Sequence, residues 1–349
     1  MKKVLMKGNE AVAESAIQAG CRFYAGYPIT PQNEIPEYMS WRMQDVGGTF
    51  IQAESEISAI NMVYGASSAG QRAMTSSSSP GISLKQEGIS FLASAELPAV
   101  IVNMQRGGPG LGNISGSQAD YFQAVKGGGH GDYKCLVYAP YSVQELWDLT
   151  MLAFDRADLY RNPVIILSDG IMGQTMEPLF QTPYEKPSLP EKTWALRGAK
   201  GRAPNVIKTL YMAEGELEEK NMARQAKYKK IKENEVLFEE LQTDDADIIV
   251  VAFGVSARLA LPAQRKLRKE GIKIGLFRPI TLFPFPEKQI SSLAKRVKRF
   301  VVVELNAGQM VEDVRQYVCG KAEVVLYGRP GGSIVTAEEV YEKLKEITS

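Results

Sequence analysis

The chain is poor in the residues that build metal and redox centres, with 3 cysteines and 1 histidine in 349 residues. Cys21, Cys135 and Cys319 lie far apart and form no CxxC pair. Neither a zinc site nor a cysteine-ligated iron–sulfur cluster can be assembled from them within one chain, so burial as small hydrophobes is their expected use. The single histidine, His130, is the only base a Ser-His-Asp hydrolase could use, and no GxSxG elbow accompanies it. GxxxxGK[ST] is missing, as is GxGxxG after the first strand, which removes the P-loop and the usual dinucleotide fingerprint. An excess of one charge is missing too: 41 Lys and Arg stand against 40 Asp and Glu. Without a net field the chain has no long-range means of gathering nucleic acid or an acidic membrane surface. Apolar runs such as residues 248–253 fall far short of the roughly 18 residues that cross a bilayer. The first residues do not read as a basic-then-apolar leader, and a cytoplasmic location is the expectation.

What the chain does have is alternation. Its hydrophobic content of 44% suits ordinary packed cores, and its length suits about two domains. Over residues 1–175, strand-like runs at 22–26, 49–52, 73–76, 99–104 and 164–167 alternate with helical patterns at 9–19, 34–43, 57–69, 84–95 and 142–159. Gly20 suits a helix C-cap, Thr30 and Pro31 an N-cap and first turn, and Ser142-Val143-Gln144-Glu145 a capping box. This alternation predicts an α/β, doubly wound parallel sheet. Residues 176–245 read as a linker: Pro178, Pro183, Pro187 and Pro190 break any period, then a charged helical pattern runs from 214 to 241. From 246 to 349 the alternation resumes in a second, smaller α/β domain, whose last helix opens on Thr336-Ala337-Glu338-Glu339.

Three segments stand at predicted strand ends, where open parallel sheets bind ligands: Tyr27-Pro28-Ile29-Thr30-Pro31, Gln52-Ala53-Glu54-Ser55-Glu56 and Gln105-Arg106-Gly107-Gly108-Pro109. Together they offer a hydroxyl, a carboxylate and a guanidinium. Thr30 and Glu56 each have a structural use at a helix start, worth about 1 kcal/mol or less. Arg106 has no such use. It is followed by a glycine-rich loop, and its planar fork suits a bound carboxylate. His130, in Gly127-Gly128-Gly129-His130-Gly131-Asp132, lies on a loop long enough to reach the same rim or to stay on the surface.

GYPITP, QAESE and NMQRGGPG, in this order and spacing, resemble the α subunit of the multi-subunit 2-oxoacid:ferredoxin oxidoreductases, most closely the branched-chain (3-methyl-2-oxobutanoate) type. The resemblance covers essentially the whole chain. It implies a pyrimidine-binding thiamine diphosphate domain over 1–175 and a transketolase C-terminal-like domain over 246–349. Glu56 would then be the catalytic partner of N1′ on the aminopyrimidine, with Tyr27 and Pro28 beside the cofactor. Thr30 would contact the 2-oxoacid and Arg106 its carboxylate, while Gly107, Gly108 and His130 would line the rest of the pocket. This chain has Ser168-Asp169-Gly170 but no GDG with a following Asn. The resemblance therefore assigns the diphosphate and Mg²⁺ to a β subunit, and the iron–sulfur clusters to partner γ and ferredoxin-like δ subunits. It further implies coenzyme A as co-substrate and ferredoxin as electron acceptor. Between Arg106 and Lys126 there is no Lys or Arg, which favours an apolar 2-oxoacid such as 2-oxoisovalerate over 2-oxoglutarate. Two further alternatives stay open at this point: the β chain of a lipoamide-linked dehydrogenase, and a noncatalytic scaffold subunit.

Overall fold

The computed structural model describes residues 2–333 and 335–348. The first part of the chain runs β1 (Lys2–Lys7), α1 (Gly8–Gln18), β2 (Phe23–Gly26), α2 (Glu34–Asp45), β3 (Thr49–Gln52), α3 (Glu56–Ser68), β4 (Ala73–Ser77) and α4 (Ser79–Ser94). It continues with β5 (Ala99–Gln105), α5 (Tyr121–Val125), β6 (Leu136–Tyr138), α6 (Val143–Tyr160), β7 (Pro163–Asp169), α7 (Gly170–Gln174) and β8 (Met176–Gln181). After an irregular crossing come α8 (Glu216–Asn234), β9 (Phe238–Leu241), β10 (Ile248–Ala252), α9 (Gly254–Lys269), β11 (Ile274–Pro279) and β12 (Thr281–Phe283). α10 (Glu287–Leu293), β13 (Arg299–Glu304), α11 (Met310–Val318), β14 (Glu323–Gly328) and α12 (Ala337–Thr348) complete it.

β4, β5 and β7 are buried at every residue, as strands covered by helices on both faces should be, although β4 ends in Thr75-Ser76-Ser77. They form the middle of a 7-stranded sheet in the order β12-β6-β7-β5-β4-β2-β3, parallel except for β12. The order reverses at β2, whose chain leaves towards β3 while β4 leads away towards β5. A crevice opens outside the carboxyl ends of strands at such a switch point. A second sheet of 5 strands runs β14-β13-β10-β11-β9, with β9 antiparallel. β1 and β8 pair antiparallel by themselves.

Four local expectations are corrected. Thr30 and Pro31 do not start α2, which begins at Glu34 with Asn33 before it. The Pro31 carbonyl is taken by Asn9 Nδ2 at 2.9 Å and Gln174 Nε2 at 3.2 Å, so tertiary bonds hold the segment as a loop. The helical pattern over 214–241 yields a helix only to Asn234. Beyond it Phe238 stacks on Phe277 at 5.6 Å, and the segment joins β11 as an antiparallel strand. Residues 2–7, for which the sequence pattern predicts no element, and 176–181, which read as part of the linker, are the paired strands β1 and β8. Cys21 and Cys135 are buried as expected, but Cys319 is exposed, at a left-handed helix end with φ 52°.

The two larger sheets are tied by buried polar bonds. Gln118 donates to Phe253 O at 2.8 Å and accepts from Leu305 N at 3.0 Å, while its carbonyl accepts from Asn306 Nδ2 at 2.8 Å. Tyr121 donates to Asp313 at 2.6 Å, and β12 crosses over to pair with β6 in the first sheet.

Candidate functional site

The switch-point crevice is framed by the loop after β2, the start of α3, the β4–α4 turn and the loop after β5. Ser55 caps α3, its Oγ accepting from Ser58 N at 3.2 Å, so Glu56 is the first helical residue, at the positive end of the dipole. Glu56 is only 6% exposed, and among the described residues its carboxylate accepts no hydrogen bond. The first turn of α4 passes close over it: a Cβ built on Gly81 would lie 2.7 Å from Glu56 Oε1.

One turn further along α4, Lys85 is fully buried and donates to Thr75 Oγ1 at 2.6 Å and Ser76 O at 3.2 Å. Burial pushes its ammonium down to about 7, and the Glu56 carboxylate acts in the opposite direction. Sequence reasoning passed over Lys85, although a signal was present. Lys85 shares the buried stripe of α4 with Ile82, Ile89 and Leu92, where a cation is out of place.

Arg106 directly follows β5 and is 8% exposed. Its guanidinium donates to Thr30 O at 3.0 Å and Leu111 O at 2.9 Å, so it pins the loop after β2 to the loop after β5. Its Nε is buried without a partner among the described residues. Gly107 N donates to Ser115 O and Gly107 O accepts from Asn113 N, both at 2.9 Å, which closes residues 107–115 into a tight loop beginning with Gly107 and Gly108. Tyr27 and Pro28 are exposed at the mouth, and the Thr30 hydroxyl accepts from Asn33 Nδ2 at 3.3 Å.

His130 is not brought to this rim. It is exposed and lines a cavity with Ser90, Ser94, Asn221 and Arg224, about three turns down α4 from Ser79. The glycines before it fold against Gln86, and Asp132 O accepts from Gln225 of α8, which carries the loop away from the crevice.

Around Glu56 and Arg106 the hydroxyls of Ser77 and Ser78 and the Oδ1 of Asn103 are buried without hydrogen bonds among the described residues. Buried polar atoms are normally satisfied, so a cluster of orphans marks a place where another group makes the bonds. A buried carboxylate beside free hydroxyls fits the edge of an aminopyrimidine, which presents a ring nitrogen and an amino group. Among the described residues no group of three or more His, Cys, Asp or Glu could hold a metal ion.

A family model described as "Pyruvate flavodoxin/ferredoxin oxidoreductase, thiamine diP-bdg" matches residues 14–262. Another, "Pyruvate:ferredoxin oxidoreductase core domain II", matches residues 246–340. The ketoisovalerate oxidoreductase subunit VorB of Methanothermobacter thermautotrophicus is 52% identical over 99% of this chain and 98% of its own length. The 2-oxoglutarate synthase subunit KorA of Methanocaldococcus jannaschii is 39% identical over 97% of this chain and 98% of its own. Among solved structures, a 2-oxoglutarate:ferredoxin oxidoreductase from Magnetococcus marinus, with 2-oxoglutarate, coenzyme A and succinyl-CoA bound, matches with TM-score 0.88 at 26% identity. That match covers 99% of this chain and 65% of that one. A split-gene transketolase, at TM-score 0.60 and 13% identity over 98% of this chain and 97% of its own, shares the fold. With 52% identity to a relative matched along its length, and a family model over residues 14–262, the chain belongs to the 2-oxoacid:ferredoxin oxidoreductase family.

Proposed function

We propose that this chain binds the pyrimidine half of thiamine diphosphate and presents a branched-chain 2-oxoacid of the 2-oxoisovalerate type for oxidative decarboxylation to its acyl-CoA. The observation that carries this reading is Glu56, a buried carboxylate with no hydrogen bond among the described residues, set at the switch point of the sheet. When bound, thiamine diphosphate supplies the nucleophile for the keto carbon and the sink for its electrons. Glu56 holds the proton at N1′ of the ring, with Tyr27 and Pro28 at the cofactor's edge. Arg106 receives the substrate carboxylate: releasing Leu111 O frees one N–H, the orphaned Nε offers another, and a charge-assisted pair is stronger than the backbone bond it replaces. Thr30, held by the same guanidinium through its carbonyl, faces the keto end, and Gly107 and Gly108 keep that side free of side chains.

The substrate class is supported by two features. No Lys or Arg lies between Arg106 and Lys126 to meet a second carboxylate, and the loop beside Arg106 exposes Leu111 and Ile114 at 80% and 64%. Identity to the ketoisovalerate subunit, 52%, also exceeds that to the 2-oxoglutarate subunit, 39%. A β subunit supplies the diphosphate and Mg²⁺ half of the cofactor site, and γ and ferredoxin-like δ subunits carry the iron–sulfur clusters that pass electrons to ferredoxin. The complex works in the cytoplasm, with neither nucleic acid nor membrane as partner. We divide the chain at about residues 175 and 245, with β12 reaching back across the second division.

Replacing Glu56 by Gln in the assembled complex tests the site. The expected result is a loss of about 10²-fold or more in kcat in a complex that still assembles. A full rate overturns the reading. Rates with 2-oxoisovalerate and 2-oxoglutarate test the substrate, and a kcat/KM preference for 2-oxoglutarate overturns that part alone.

A further inference from the structure

The first turn of α4 sets Gly81 against the Glu56 carboxylate, and Lys85, four residues on, lies on the same face of the helix. Facing the Lys85 ammonium are Thr75 and Ser76 of β4 and, from α3, Glu56, whose charge reaches it without direct contact. Tyr24 of β2 and Gln32 lie one bond further, both on Ser76 Oγ. A hydroxyl and a carbonyl take two of the three N–H donors but leave the charge, and a buried charge needs an opposite one. Glu56 is that charge, and it has no hydrogen-bond partner of its own among the described residues.

A difficulty follows for any ring that docks through N1′. A carboxylate only accepts, and the N1′ lone pair only accepts, so the contact forms when one proton is added between them. That proton brings a second positive charge into a pocket already holding the ammonium. We propose that Lys85 is the charge-balancing partner of Glu56: as Glu56 and N1′ come to share one proton, an Nζ–H bond of Lys85 breaks and its proton leaves.

One proton is gained at Glu56 and N1′ and one lost from Lys85, no electrons move, and the buried charge keeps its sum. The resulting amine keeps both contacts where it stands, because the Thr75 hydroxyl can turn to donate to its lone pair while Nζ still donates to Ser76 O. Lys85 is already brought down to about 7 with the Glu56 charge opposing its loss of a proton. Neutralising that charge removes what holds the ammonium. Lys85 is thus a positioning residue, acting on the cofactor through Glu56, and the inference rests on Glu56 serving the pyrimidine.

The test counts protons. Thiamine diphosphate with Mg²⁺ is titrated calorimetrically into the assembled apo-complex, in buffers of different ionisation enthalpy, at pH 6.5 and pH 8.5. Replacing Lys85 by Met should raise proton uptake by about one over wild type at pH 6.5, and leave it equal at pH 8.5, where the wild-type lysine is already neutral. Equal uptake by variant and wild type at both pH values overturns the proposal. Should Lys85→Met fail to assemble, Lys85→Arg is read the same way, because a guanidinium does not release its proton. Glu56→Gln separates the two readings. Its amide N–H can donate to N1′ directly, so uptake at pH 8.5 should fall by about one below wild type. Unchanged uptake in Glu56→Gln removes Glu56 from the cofactor site. A changed uptake there with none in the Lys85 variants removes Lys85 alone.

Discussion

Gly81→Ala separates the site from the fold. Gly81 is the third residue of α4 and is not among the positive-φ glycines, so the backbone accepts alanine. Helix propensity alone favours the change by about 1 kcal/mol. What opposes it is the crevice: the new Cβ would lie 2.1 Å from Ser77 Oγ, 2.7 Å from Glu56 Oε1 and 3.0 Å from Glu56 Cγ. Ser77 Oγ has no hydrogen-bond partner and rotates away without losing one. Glu56 cannot yield as cheaply. Restoring ordinary contact moves its carboxylate by roughly 0.7 Å, and Cγ must follow. A displacement of about 1 Å in a catalytic group costs on the order of 10²-fold in rate. Overpacking costs the fold about 1–3 kcal/mol, part of it returned by the better helix former. The assembled variant should therefore lose about 10²-fold in kcat and about tenfold in thiamine diphosphate affinity, with Tm lower by only about 5 °C or less. Turnover of 2-oxoisovalerate with a viologen acceptor, calorimetric titration and a melting curve measure the three. A kcat and a Kd both within twofold of wild type would refute the claim that the Glu56 carboxylate works from the position it holds against Gly81.

Two further outcomes follow from the geometry. Arg106→Lys keeps one charge but cannot reach both Thr30 O and Leu111 O or receive a carboxylate with two prongs, so KM for the 2-oxoacid should rise by about tenfold or more while kcat changes less; an unchanged KM takes Arg106 out of the substrate site. Asp169 caps α7 through Ile171 N and Met172 N, and burial pushes its carboxyl up to about 7 from 3.8. With the folded value above the unfolded one, its stabilising contribution is complete below about 3.8 and is lost as the pH rises through about 7. Asp169→Asn keeps an acceptor and removes the charge. The variant should be more stable than wild type at pH 8, by at most on the order of 4 kcal/mol, with the gap closing by pH 4. Coincident pH–stability curves would refute that assignment.

The parts of this molecule legible in sequence are those written locally. β5 and β7 announce themselves as apolar runs because both faces are covered, and Ser142 and Thr336 cap their helices as their spacing implies. The three strand-end motifs fall around one crevice because parallel strands send all their carboxyl ends to one side. What escaped is non-local. β1 and β8 pair across more than 160 residues of chain, with Lys7 opposite Met176, and neither strand signals its partner. Thr30 looked like an N-cap because Thr-Pro usually is one, yet the side chains of Asn9 and Gln174 decide what its neighbour's carbonyl does. His130 is placed by the three glycines before it, which permit many paths and encode none.

The second sheet also bears on the site, although it contributes none of the residues discussed there. The loop after β5 is held at its tip by Asn113 Nδ2, which donates to Gly331 O at 2.7 Å, and at its end by Gln118, which bonds Phe253 O and Leu305 N. Leu111 O, the carbonyl that holds one arm of Arg106, lies just before the first of these anchors in the chain. The loop that supplies Leu111 O is therefore held from the second sheet, and residues near 305 and 331 bear on how Arg106 is held without touching it. Tyr27, Ile57, Leu84, Leu111 and Ile114, all large, apolar and exposed, lie on the loops and helix ends that frame the crevice. Such a frame around unsatisfied polar atoms belongs against another surface, which supports a partner subunit closing the cofactor site.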